Sequence, residues 1–404
     1  MLALSLSGVF FLLALLVIYR LFFHPLHNFP GPKVAAISGL YEFYFDVVKD
    51  GSYLWQIEKM HLKYGPIVRI NPSALHIKDP SFFSEIYSGI TRPRDKLLPS
   101  TRIFGSPTSI ISTTDHYHHS KRRRIFQRYF TKDSVRRAQH SLHENANKLV
   151  DALNNNAKSY QPLNLSAGFA ALTTDVITPH LCGSSIGCLS RDDFQNDVQE
   201  QVQEIERFSH INRFVPFLEM PRAISIILVA LSPRARKFAT LEWKIHRFLM
   251  TAVNQNNLPK NILSEAFTNV DGSFLLRAGT ETSAAALSVT RLREELRSVM
   301  PLPSSCPLLS DLNSLPFLDY AFLGVLARTA RIPRNENLYY KGWMIPKGTP
   351  ISQIIHFVHM DPQIFPDPHT FSPDRWIEAT QRQENLESMM MIFNKGSRQC
   401  LGQQ

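Results

Sequence analysis

Apolar positions along this chain follow three patterns, and each predicts a different kind of element. Met1 to Tyr19 carries no charged residue. Its centre, Val9 to Ile18, is an unbroken apolar run that Leu21, Phe22 and Phe23 extend, which predicts a membrane-spanning helix over 1–23. A cleaved signal peptide is the alternative, but no basic stretch precedes the run and no small-residue cleavage site follows it. Arg20, His24 and Lys33 come next, so the excess of positive charge places the remainder on the cytoplasmic side. The Pro30-Gly31-Pro32 triplet removes backbone donors and fixes φ, which predicts a stiff elbow over 24–34.

Beyond the elbow the periodicity changes. Gly65 to Pro72 and Ala74 to Ile77 alternate apolar and polar positions around a turn and predict a β-hairpin. The segments 133–157, 167–182, 193–210 and 237–254 repeat apolar residues every three or four positions and predict helices. Gly342 to Pro350 and Phe365 to Pro368 punctuate short strands and turns. The expected fold is mainly α with a small β-sheet region, as one large domain over 35–404.

Apolar residues are 44% and charged residues 19% of the chain, which excludes a disordered protein and leaves enough material to enclose a cofactor. A formal charge of +10 suits nucleic acid, an anionic membrane surface or an acidic protein. The densest run, His116-Tyr117-His118-His119-Ser120-Lys121-Arg122-Arg123-Arg124, reads by itself as a solvated face or as a nucleic-acid patch, which salt-dependent binding would separate. The four cysteines, Cys182, Cys188, Cys306 and Cys400, lack zinc-site or disulfide-scaffold spacing, which points to a reducing compartment.

Two short segments carry chemistry. Phe393-Asn394-Lys395-Gly396-Ser397-Arg398-Gln399-Cys400-Leu401-Gly402 fits F-x-x-G-x-R-x-C-x-G at every defined position, and Ala278-Gly279-Thr280-Glu281-Thr282-Ser283 fits A-G-x-[DE]-T-[TS]. Out of context, Cys400 reads as a buried thiol in a turn, and Thr280 or Thr282 as a cap at a helix start. Together the segments resemble the cytochrome P450 family, in particular its fungal secondary-metabolite members of the trichodiene-oxygenase type.

That resemblance implies the P450 fold and haem b, with the Cys400 thiolate as axial iron ligand. It places Phe393 and Arg398 against the cofactor, Arg398 pairing with a propionate. Gly396 and Gly402 would let backbone pass close to the porphyrin and point amides at the sulfur. Thr282 and Glu281 would relay protons on the distal face. His119 and Arg123 match the family's W-x-x-x-R helix, with His119 in the tryptophan's place, and Arg331 in Ala330-Arg331-Ile332-Pro333-Arg334 matches a further propionate-binding position. Read without the resemblance, Arg331 is a surface arginine before a turn. The implied activity is hydroxylation or epoxidation of a lipophilic small molecule. The implied partners are an NADPH-cytochrome P450 reductase and the endoplasmic reticulum membrane, with no nucleic acid. Phe214 to Leu231 resembles the family's substrate roof, although core packing explains its apolar residues equally well.

The chain also departs from the family. Aligned from Leu315-Pro316-Phe317-Leu318, the E-x-x-R motif finds Gly324 in place of Glu and Ala327 in place of Arg, so Arg375 is expected to lack its buried partners. Glu294 to Arg297 has the motif's letters but precedes that helix. The stretch from Thr282 to Arg293 is short for a distal helix and its successor, Asn269 to Ser273 reads as inserted, and the family's helix after the cysteine loop is expected to be missing beyond Gln404. A second reading follows, a P450 remnant with little or no activity.

Overall fold

The computed structural model describes residues 2–49, 51–104, 106, 108–159, 164–214, 227, 230–254, 269–287, 329–368 and 374–403. Its principal helices are α1 (Leu2–Ile18), α2 (Tyr53–Tyr64), α3 (His116–Gln127), α4 (Lys132–Ser159), α5 (Leu165–Cys182), α6 (Asp197–Asn212), α7 (Pro233–Asn254), α8 (Asn269–Leu287), α9 (Ile355–His359) and α10 (Asp374–Gln381). Among the described residues seven short strands accompany them: β1 (Ile67–Arg69), β2 (Leu75–Ile77), β3 (Arg94–Lys96), β4 (Arg331–Pro333), β5 (Leu338–Tyr340), β6 (Trp343–Ile345) and β7 (Ile351–Ser352). The mainly helical expectation with a small sheet is met, and the four helical segments read from periodicity fall on α4 to α7.

Five strands form one sheet in the order β1-β2-β7-β4-β3. The hairpin expected around Asn71 is β1–β2, antiparallel with Ile67 opposite Ile77. β2 and β7 run parallel, and β3 meets β4 with Lys96 opposite Arg331. β5 and β6 form a separate hairpin whose two loop residues, Lys341 and Gly342, both have positive φ. That is the turn geometry whose twist suits a two-residue hairpin.

The elbow is held by the sheet. Pro30 accepts from the Arg69 amide at 2.7 Å, and a Cβ on Gly31 would overlap the Arg69 carbonyl, so glycine is required there. The buried Arg69 guanidinium donates to the carbonyls of Arg20, Leu26 and Pro72.

The anchor expectation finds no support among the described residues. Among the described residues no helix is long and apolar enough to cross a membrane. α1 has 17 residues, about 25 Å at 1.5 Å per residue, against a hydrocarbon core of ~30 Å. Regular helical bonding gives way after Ile18, where Tyr19–Phe23 widen into a π turn and Arg20 within it donates to the Ile37 carbonyl.

The helical half is organised by α5 and α8. A Cβ on Gly279 would come within 2.9 Å of Ile177 Cγ1, so the glycine lets the two backbones approach. Thr173 donates to the Thr280 carbonyl at 2.8 Å, and the Thr174 and Thr280 hydroxyls lie 3.0 Å apart. α5 starts at an Asn164 cap and ends at left-handed Gly183. The segment read as an insertion, Asn269 to Ser273, forms the first turns of α8.

Candidate active site

A cavity of about 540 Å³ lies among α3, α4, α5, α8 and the cysteine loop. Ala278, Gly279, Thr282 and Ser283 of α8 line it, as do Val135, Ala138 and Leu142 of α4, Leu172, Val176 and Ile177 of α5, and Phe393, Arg398, Cys400 and Gly402 of the loop. The wall is chiefly apolar with a few polar groups converging at one end, the usual make-up of a cofactor or substrate site.

The loop that presents Cys400 is fixed by backbone. The Cys400 amide donates to the Phe393 carbonyl at 2.9 Å, closing the turn, and Ser397 N–H donates to the Ser88 carbonyl at 3.0 Å. Gly396 has φ +75°, and a Cβ there would overlap the carbonyl oxygens of Ser88 and Tyr87. Its glycine is therefore demanded by the neighbouring backbone. Gly402, with φ −86°, needs no special conformation; its amide favours the thiolate form of Cys400. Burial pushes the Cys400 thiol up, while the Gly402 amide and the Arg123 charge oppose that shift.

Beside the loop, buried nitrogen accumulates. Arg398 donates from Nη1 to the Thr113 carbonyl and from Nη2 to the Thr114 carbonyl, both at 2.7 Å. Lys96 Nζ donates to the Ile111 carbonyl at 2.6 Å, and Arg331 lies over the Tyr87 ring at 5.1 Å. Burial lowers all three, Arg398 to about 9 and Lys96 far below its usual range, and neighbouring Arg331 lowers both of them further. His119, 5% exposed, is pushed down to about 2 by burial, then by Arg398, Lys96, Arg123 and Arg331. Arg398 Nε and His119 Nδ1 are buried with no hydrogen-bond partner among the described residues. Among the described residues no carboxylate contributes to the shifts of Lys96, His119 or Arg331, so a cofactor bearing carboxylates fits what these residues lack.

The structure thus brings His119, Arg123, Phe393, Arg398, Cys400, Gly402 and Thr282 to one cavity. Arg331 stands behind Lys96 through the β3–β4 register, buried rather than on the surface, and is not among the wall residues. Thr282 and Thr280 are mid-helix and bond back to the Ala278 and Leu276 carbonyls, so neither caps a helix start. Thr280 faces α5, leaving Thr282 to the cavity. The side chain of Glu281 lies outside the described residues. So do the positions of the E-x-x-R comparison and nearly all of the roof segment. Arg375, buried, donates to the Pro366 and Asp367 carbonyls.

Lys96 was missed because no motif contains it. The available signal was alternation: Arg94 and Lys96 flank Asp95 on a three-residue strand, which turns both cations to one face, and both are buried.

The cytochrome P450 family model matches residues 44–268 and 263–404. The chain belongs to the cytochrome P450 family, and membership implies a haem-thiolate cofactor, a redox partner and a lipophilic substrate. It is 36% identical to the cytochrome P450 monooxygenase TRI4 of Fusarium sporotrichioides over 423 positions, covering 95% of this chain and 81% of that protein. It is 37% identical to the conidiogenone synthase PchP450 of Penicillium rubens, covering 98% and 87%. With the cytochrome P450 monooxygenase aflU of Aspergillus parasiticus it shares 35%, covering 98% and 87%. The resemblance read from the motifs is borne out at the level of fungal monooxygenases. The 423-position alignment exceeds the 404 residues of the chain, so this relative carries internal residues that the chain lacks.

Proposed function

We propose that this chain is a haem-thiolate monooxygenase that hydroxylates or epoxidises a lipophilic small molecule in fungal secondary metabolism, with Cys400 as the axial iron ligand. The observation that carries the reading is the meeting of the Cys400 thiol, a cluster of buried cations with two orphaned nitrogens and Thr282 in one apolar cavity.

Haem ligated by thiolate supplies the reductive activation of dioxygen that oxygen insertion requires. The chain's own residues do the rest. Arg398, Arg123, His119 and Lys96 would hold the propionates, with Arg331 adding charge from behind. Phe393 packs at the cofactor, and Gly396 fixes the loop so that Gly402 N–H meets the sulfur. Thr282 Oγ1, which donates to the Ala278 carbonyl at 2.6 Å and lines the cavity, would pass a proton into it, with Glu281 as the source. Apolar walls from α4, α5 and α8 exclude water.

Electrons come from an NADPH-cytochrome P450 reductase. The exposed Phe10, Phe11, Leu12 and Phe23 support association with the endoplasmic reticulum membrane, the domain facing the cytosol.

A second reading, an impaired remnant, is favoured by the internal residues this chain lacks relative to its Fusarium relative and by the family match falling into two pieces that meet at 263–268. The reduced, carbon-monoxide-bound absorption spectrum of membrane-expressed, haem-supplemented protein separates the two. A thiolate-type band that disappears in Cys400→Ala supports the monooxygenase. Well-expressed protein without that band sinks it and leaves the remnant.

A further inference from the structure

We infer that Tyr87 is a positioning residue for the cofactor: its ring holds the Arg331 guanidinium within the cation cluster, and its hydroxyl ties together the strand ends that set where Arg331 stands. The inference rests on the haem-thiolate reading and adds to it a residue that lies outside both motif segments.

Hydrogen bonds alone hold Arg331 poorly. It is 3% exposed, yet among the described residues its guanidinium makes one long hydrogen bond, from Nη1 to the Ala330 carbonyl at 3.3 Å. The contact that orients it is the Tyr87 ring, whose centroid lies 5.1 Å from the guanidinium carbon. The face of an aromatic ring is electron-rich, and away from water it attracts a guanidinium more strongly than at a surface. Phe83 packs on the same ring, with centroids 4.3 Å apart, and keeps it in place.

The hydroxyl acts on the strands. β4 and β7 are registered through Arg331 opposite Ile351. Just past that pair, the Tyr87 oxygen accepts from the Gln353 amide at 3.2 Å and shares its one proton between the Gln353 and Thr329 carbonyls, at 3.0 and 3.1 Å. A side chain thus extends a short backbone ladder by one rung. On its main-chain side Tyr87 meets the cysteine loop: its carbonyl and that of Ser88 are the atoms Gly396 must clear, and the Ser88 carbonyl accepts from Ser397 N–H. One pair of residues therefore spaces Arg331 from the loop that presents Cys400. Tyr87 itself is not in the cavity wall, so it acts through Arg331.

The test measures how fast haem leaves the loaded protein for an excess of competing apoprotein. Tyr87→Leu removes the ring and should speed haem loss about tenfold, the effect of one desolvated cation–π contact. Tyr87→Phe keeps the ring and should speed it less. In Arg331→Gln protein the Tyr87→Leu change should add nothing, because residues acting through one contact are not additive. With haem dimethyl ester, which has no ionised propionates, it should also have no effect. Where Tyr87→Leu fails to fold, Tyr87→Phe carrying an ordinary or a pentafluorinated ring gives the answer: fluorine reverses the charge of the ring face at nearly constant shape, so haem should leave the fluorinated protein faster. Equal acceleration in both backgrounds, equal acceleration with haem and ester, or identical rates for the two rings would make Tyr87 a packing residue and overturn the inference alone. A wild-type carbon monoxide complex without a thiolate-type band overturns the haem reading and the inference with it.

Discussion

Two clusters of buried nitrogen in this protein are completed in opposite ways. On the sheet side, Ile354 N–H donates to His76 Nε2 at 3.0 Å, His76 Nδ1 and His61 Nε2 are 2.6 Å apart, and His61 Nδ1 lies 2.8 Å from the Gly65 carbonyl. One tautomer pattern satisfies all three contacts: His76 carries its proton on Nδ1 and gives it to His61 Nε2, and His61 carries its proton on Nδ1 and gives it to Gly65. Every nitrogen is used and neither ring is charged. On the cavity side, Lys96, His119, Arg331 and Arg398 crowd together with two orphaned nitrogens and mutual repulsion. A closed network stabilises the fold by itself. An open one is completed by something of opposite charge.

The largest expected effect lies where the two sides meet. Gly396→Ala must push its Cβ against the backbone of Tyr87 and Ser88 at a φ that alanine resists, so about 4 kcal/mol of stability or a displaced Cys400 loop is expected, read by thermal melts and haem retention. Next comes the closed network. His76→Ala strands the Ile354 amide and His61 and leaves a cavity, for about 3 kcal/mol of destabilisation in denaturant titrations. A thiolate-type spectrum should survive in the folded fraction.

Acid acts on the same network by a comparable amount. Burial lowers His61 to about 4, as it does His359, whose Nε2 accepts from Met391 N–H at 3.2 Å. Between the ordinary histidine value near 6.5 and about 4, the unfolded chain binds protons that the folded chain refuses. Stability is therefore full above pH 6.5 and declines as pH falls toward 4, by about 3 kcal/mol for His61 alone. Melting temperatures from pH 7 to 4.5 should show that slope, and one unchanged in His76→Ala would refute the relay.

The open cluster should answer with opposite signs. Lys96→Met removes a buried charge, so haem-free protein should gain about 1 kcal/mol while haem is lost faster to a competing apoprotein. A variant weakened in both measurements would mean that Lys96 is structural. The smallest effect is expected at Gly402→Ala: φ is ordinary and the nearest atom to a new Cβ is Cys400 Sγ at 4.0 Å, so stability should change by about 0.5 kcal/mol or less.

The sequence by itself determined the elements and the family. Periodicity located α4 to α7 and the β1–β2 hairpin because helices and strands bury one face, and that repeat is written locally. The motifs located Cys400, Arg398 and Thr282 because their chemistry restricts residue choice over a few consecutive positions. Tertiary structure decided what depends on distant neighbours. It assigned the Gly396 requirement to the carbonyls of Tyr87 and Ser88, some 300 positions away, and turned Thr280 toward α5 and Thr282 toward the cavity. It stopped the regular helix of α1 at Ile18, where Arg20 engages Ile37. It also recruited Lys96, which no motif contains, by pairing β3 with β4 so that Arg331 stands opposite it. Local patterning fixes which face of an element is buried, but the charge or backbone atom that face meets is set only when the chain closes on itself.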